Sequence, residues 1–211
     1  MKSYIKHILD NNLDEVIEKS YWNCHLKGLH SLMLCDAPGK VVRMFAAMPE
    51  CRLDRNSIGD IQGENPFQSI AFHPHHCDLT LIPVKGSFRN WIIKISKSGD
   101  SLITEWQYES AITKGEMSFR KIGDVKYDVV KYGSYSDTSL DFGVFMKADE
   151  IHTVSKYAGE FAAWIVMEGA EDPNYQNKCY SVVNPNEVDK SQLYQKMTAE
   201  RIGIIRKYLE I

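Results

Sequence analysis

Apolar positions recur at helical spacing at both ends of the chain and alternate with polar ones between. At the front, Ile5, Ile8, Leu9, Leu13, Val16 and Ile17 fall on one helical face. Asn11-Asn12 predicts a break into two short helices, with Asn12 capping the second and Glu15 closing a capping box. At the back, Asp189 and Gln192 give a similar start signal. Leu193, Met197, Ile204, Ile205, Tyr208 and Leu209 then form a stripe suited to packing on a sheet. In the middle, turn signals separate short β-rich runs. "GLHSLML" and "KVVRMFAA" flank "CDAPG", and "FRNWIIKI" and "SLITEWQYES" flank "SKSGD", which predicts two hairpins. In the last of these runs Leu102, Thr104, Trp106 and Tyr108 share one face, and Glu105 and Gln107 the other. "MSFRKI", "VKYDVVKY", "LDFGVFM", "FAAWIVM" and "CYSVV" add further strands. About ten strands with no helical period among them predict a mainly β, antiparallel sandwich or closed barrel. The expected organisation is a single domain over 1–211, with a helical segment at 1–22, a barrel over 28–185 and a helix over 189–211.

Composition narrows the classes. The chain has 211 residues, 44% hydrophobic and 25% charged, enough to bury a core. Its 25 basic and 28 acidic residues leave a net charge of −3 with neither sign blocked, which argues against a nucleic-acid binder. Five cysteines form no C-x-x-C pair, and "MKSYIKHILDNNLDE" is interrupted by Asp10 where a signal peptide needs an apolar core. The longest apolar run, "FAAWIVM", is far short of a membrane span. These features predict a cytoplasmic protein with reduced thiols and no membrane partner. No glycine-rich phosphate loop is present.

Chemistry concentrates in "FHPHHCDLT", residues 72–80, where three of seven histidines occupy four positions. On a strand, His73 and His75 point to one side, and two imidazoles there supply cis ligands for iron, zinc, nickel or copper. Pro74 removes one ladder donor, tolerable at an edge or a barrel mouth. The best third ligand is His152, in "IHTV" at the start of a later strand. His76 is a substitute ligand if the chain bends, and Asp78 is a fourth candidate, as a carboxylate ligand or as acceptor for a ligand's second ring proton. Cys24, His25 and His30 lack a second cysteine at zinc-finger spacing. Cys77 reads as a small core residue.

The pair "H73-P-H75", the β run ending at Gly86, and the later "IHTV" with its following strands resemble the two motifs of the cupin superfamily. The resemblance covers roughly residues 28–170. It implies a jelly-roll barrel, short helices outside it, and one divalent metal on His73, His75 and His152. Thr80 stands where those motifs carry a glutamate, so the implied site is three neutral imidazoles, as in thiol-dioxygenase-like cupins. Their substrate-binding arginine corresponds to Arg43 in "KVVRMF"; their cysteine bonded to a tyrosine has no counterpart.

By that resemblance the chain is expected to be a metal-dependent, dioxygenase-like oxidoreductase holding Fe(II), with zinc or nickel as alternatives. Its substrate would be a small polar or anionic metabolite, oriented by Arg43. A metal-dependent isomerase, a non-catalytic barrel that binds a small ligand or a partner protein, and a jelly-roll structural subunit remain open. A homodimer is compatible with each.

Overall fold

The structure is a computed structural model that describes residues 1–53, 72–109, 118–138, 143–187 and 189–211. The chain begins with α1 (Lys2–Asn11) and α2 (Leu13–Glu18) and the short β1 (Tyr21–Trp22). It continues through β2 (Leu29–Ala37), β3 (Lys40–Ala47), β4 (Cys77–Lys85), β5 (Ser87–Ile95), β6 (Ser101–Tyr108) and β7 (Phe119–Ser136). Then come β8 (Val144–Met146), β9 (Ile151–Lys156), β10 (Ala162–Glu171), β11 (Lys178–Ser181), β12 (Gln195–Lys196) and α3 (Ala199–Leu209). The first residue of "MSFRKI" and the Leu140–Phe142 part of "LDFGVFM" lie outside the described residues.

Two antiparallel sheets stack. One has the order β12-β1-β2-β3-β10-β4-β8, the other β11-β6-β7-β5-β9. Antiparallel pairs join β3 to β10, Phe72-His73 to β9 and β11, β4 to β8 and β5 to β7. Read outward from β5–β7, these pairs are one long two-stranded ribbon wound so that successive rungs alternate between sheets. That winding is the double Greek key of a jelly roll. The corner from β4 into β5 is Gly86, whose φ of +68° and closeness to the Phe161 carbonyl leave no room for a β-carbon. The fold is therefore the mainly β jelly roll that the strand count and motifs predicted.

The first sheet is covered on both sides, and its strands read accordingly. Outside it, α1, α2 and α3 bury Ile5, Leu9, Val16, Ile202, Ile205 and Leu209 against Met44, Ala46 and Ile165. On its inner face Leu79, Leu81, Trp164 and Val166 meet Phe88 and Ile92 of the second sheet. This double burial explains the unbroken apolar runs of β2 and β10, which follow no period-two pattern.

Four local expectations are corrected. "FRNWIIKI" and "SLITEWQYES" form no hairpin, because the 18-residue β7 lies between β5 and β6 and pairs with both. The same long strand absorbs "VKYDVVKY" and the described part of "MSFRKI". Along β6 the expected face is buried at one end only: Leu102 is 63% exposed, while Trp106 is buried and packs with Tyr108, and Ile103 is buried in a separate cluster. The register shift opposite Glu105 and Trp106 puts its extra residue, Ile122, on β7, while β6 runs on regularly against β11. Finally, α3 starts at Ala199, with Thr198 Oγ1 accepting the Arg201 N–H. Asp189 instead accepts the Ser191 N–H in a turn, and Gln195-Lys196 pair with β1, so the expected helix over 189–211 is half that length. Asn12 does precede α2, without a side-chain capping bond.

Candidate metal centre

The backbone assembles this site before any side chain takes part. His73 and His152 exchange both backbone N–H···O bonds, at 3.0 and 3.1 Å. Side chains of such a directly opposed antiparallel pair leave on the same face. His75 follows two residues later in extended chain and so shares that face, its N–H donating to Ala148 O at 2.8 Å. One coordinating nitrogen from each of the three rings lies within 4.8 Å of the others. The nearest two, His75 Nε2 and His152 Nε2, are 2.7 Å apart.

Asn90 on β5 sets the tautomer of His152. Its Oδ1 stands 2.7 Å from His152 Nδ1, while its amide nitrogen reaches Met146 Sδ at 3.1 Å. An amide oxygen only accepts, so Nδ1 carries the proton and Nε2 offers its lone pair to the other rings. Burial holds His73, His75 and His152 well below the usual histidine range, and neighbouring imidazoles add to this. They are neutral, the state that ligates metal.

The donor set fits a divalent ion. His73 Nδ1 is buried with no hydrogen-bond partner among the described residues. A buried polar atom left that way costs about 1–3 kcal/mol, which ligation would remove. Two imidazole nitrogens about 2.0–2.1 Å from one ion, at right angles, stand about 2.9 Å apart. The observed 2.7 Å is close to that.

The other predicted residues lie elsewhere. Cys77, Leu79 and Leu81 face the core, so alternation turns Asp78 and Thr80 outward. Asp78 accepts from Lys147 Nζ at 2.8 Å and from the Ala148 N–H at 3.0 Å, away from the imidazoles, and Lys147 holds its pKa low. His76 is exposed and 3.6 Å from Glu168, and one potential ligand atom from each of these two and from the buried Cys77 also lies within 4.8 Å of the others. Burial pushes the Cys77 thiol up to about 11, consistent with a core residue. Arg43 lies beside Phe45 on β3, donating to Ser31 Oγ at 3.2 Å; its charge reaches His25 and Cys24.

A cavity of about 130 Å³ opens beside the three histidines. Its walls are mainly apolar, among them Leu29, Leu79 and Val166, with Phe45 and Trp164 stacked at 5.9 Å. His25, set aside in the sequence for want of a cysteine partner, also lines it. Burial, and then the charge of Arg43, bring its pKa down to about 4. Asn90 was missed too, although its side chain is the one uncharged amide in the run "FRNWIIKI".

The fold and the three-histidine group thus define a jelly-roll barrel with a candidate metal centre inside. Structures similar to it include a cupin superfamily protein, an epoxidase and a polyketide cyclase. A cupin superfamily protein from Desulfitobacterium hafniense shares 10% identity over 68% of this chain and 78% of its own, with a TM-score of 0.31. Hydroxypropylphosphonic acid epoxidase from S. wedmorenis shares 10% over 72% of this chain, which spans 56% of the epoxidase, with a TM-score of 0.32. The polyketide cyclase RemF from Streptomyces resistomycificus shares 13% over 75% and 78% of the two chains, at 0.33. No family model and no curated protein matches the chain. The fold assignment stands on the strand order and register above, not on these scores. Among the described residues no helix is long and apolar enough to cross a membrane.

Proposed function

We propose that the chain binds one divalent metal on His73, His75 and His152 and uses it on a small molecule held in the adjoining cavity. The observation that carries this is the convergence of three neutral imidazoles on one point, with His73 Nδ1 lacking any other partner among the described residues. A metal held there would supply Lewis-acid or redox chemistry; Fe(II) is the first choice, zinc or nickel the alternatives. The protein's own part is to fix the ligands and keep water out. Asn90 holds the His152 tautomer, and the apolar walls exclude solvent from the reacting group. Arg43 is proposed to orient the substrate through its field on this end of the barrel, since its guanidinium is engaged with Ser31 and influences His25.

A non-catalytic barrel would favour imidazoles turned to solvent and a filled interior; convergent rings beside a cavity support the metal-dependent enzyme. None of the five cysteines is in a disulfide, which supports a reducing, cytoplasmic setting. The test is elemental analysis of protein purified without an affinity tag. One metal per chain, lost in a His73→Ala/His152→Ala double variant, is the expected result. Absence of metal from the native protein, or equal content in the double variant, refutes the proposal.

A further inference from the structure

We infer that His76, Cys77 and Glu168 form a second metal site, one that takes Zn(II) at the start of β4 with its fourth position open to water. It shares no ligand with the three-histidine centre and goes beyond that reading.

The two strands bring these residues together by departing from regular pairing. Glu168 stands opposite Leu79, so it leaves the sheet on the same face as Leu79 and Cys77. Beyond that pair β10 runs from Glu168 to Glu171 while β4 runs only from Leu79 to Cys77, a bulge with one extra residue on β10. Bulges re-aim side chains and gather beside functional sites. This one brings the Gly169 N–H onto the Cys77 sulfur. A β-carbon at Gly169 would stand 3.3 Å from Asp78, so the close approach favours glycine. Regular alternation would turn His76 away from Cys77, but His76 lies in a bend before β4 begins. Its carbonyl accepts the Asp172 N–H at 2.7 Å, and its ring meets Tyr175 edge-on at 6.1 Å.

The separations fit zinc. His76 Nε2 and Glu168 Oε2 are 3.6 Å apart, too long for a hydrogen bond. Two ligand atoms about 2.0–2.2 Å from zinc at the tetrahedral angle stand about 3.4 Å apart. One ligand atom from each of the three residues lies within 4.8 Å of the other two, and the exposed His76 ring has room to turn inward. Imidazole, thiolate and carboxylate all bind zinc, and three protein ligands with a water compose an open zinc site. Thiolate favours zinc, whereas three imidazoles serve iron as well. Glu168 and Glu171 place negative charge around the thiol, which a cation offsets. On binding, the Cys77 sulfur forms its bond to zinc as the S–H proton passes to solvent, and the Gly169 N–H stays to donate to the thiolate. Occupied, the site ties the residue after His75 to β10.

Open to water and built on one exposed ligand, the site fills by titration rather than being carried through purification. The test adds Co(II), a spectroscopic stand-in for Zn(II), to the full-length protein and to its His73→Ala/His152→Ala double variant. Thiolate bound to Co(II) absorbs in the near ultraviolet, and the three-histidine centre, having no sulfur, gives no such band. Both proteins are expected to gain the band and to lose it when Zn(II) displaces the cobalt. Cys77→Ser should abolish it. His76→Ala and Glu168→Gln, which spare the buried core, should weaken Co(II) binding at least about tenfold, since losing a ligand costs no less than losing a ligand's partner. No thiolate band in the native protein, a band that survives in Cys77→Ser, or unchanged affinity in the His76 or the Glu168 variant would overturn the inference. A band lost in the folded double variant would overturn the independence of the two sites.

Discussion

His75 and His152, 77 positions apart in the chain, bring their Nε2 atoms to 2.7 Å, and Asn90 fixes the outer nitrogen of His152. The orientation of this candidate ligand therefore depends on a residue outside the proposed metal-binding set. Asn90→Ala is expected to weaken metal affinity about 10–100-fold, the usual effect of removing such a partner. Competition with a chromophoric chelator measures this, and an unchanged affinity would mean that the His152 ring is held by packing alone.

Asp78 sits three residues from His75 and still faces away. Asp78→Ala should retain native metal stoichiometry, whereas His152→Ala should lose it, because the carboxylate is engaged with Lys147 and the Ala148 N–H. Loss of metal from the Asp78 variant would return the carboxylate to the ligand set.

Acid should destabilise the protein through buried neutral histidines. His30 accepts the Asn23 N–H at 3.1 Å and stacks on Trp22 at 3.4 Å; burial, then the charge of Arg201, hold its pKa down to about 3. Unfolded, it takes its proton near 6.5. Between these values the unfolded chain binds more protons, so stability is fully present above about 6.5 and is lost as pH falls toward 3. His25, at about 4, acts in the same direction. Urea midpoints should hold steady from pH 7 to 8 and fall progressively below about 6.5. His30→Phe should be less stable at pH 7, having stranded the Asn23 N–H, yet show a shallower acid decline. An identical acid decline would remove His30 from the explanation.

The helices and the centre lie on opposite faces of the first sheet, so they should fail separately. Ile205 is fully buried between α3 and that sheet. Ile205→Ala should cost about 2–5 kcal/mol by denaturant titration while metal content stays native. Metal loss in the folded variant would show that helix docking shapes the site.

The local pattern of apolar and polar residues determined the elements. Helical spacing marked α1 and α2, alternation and turn residues marked most strands, and His73-Pro74-His75 announced a shared face, because each depends on neighbours within a few positions. Where pairing partners are distant the sequence was mute or misleading. The predicted β5–β6 hairpin is split by β7, since pairing is set by a partner strand that lies later in the chain. His152 was chosen as the third ligand from a motif, but only the paired backbones of His73 and His152 make its ring a neighbour. The roles of Asn90 and His25 arose the same way. A side chain's chemistry is written in its own residue, whereas its company is decided by how the long ribbon winds between two sheets.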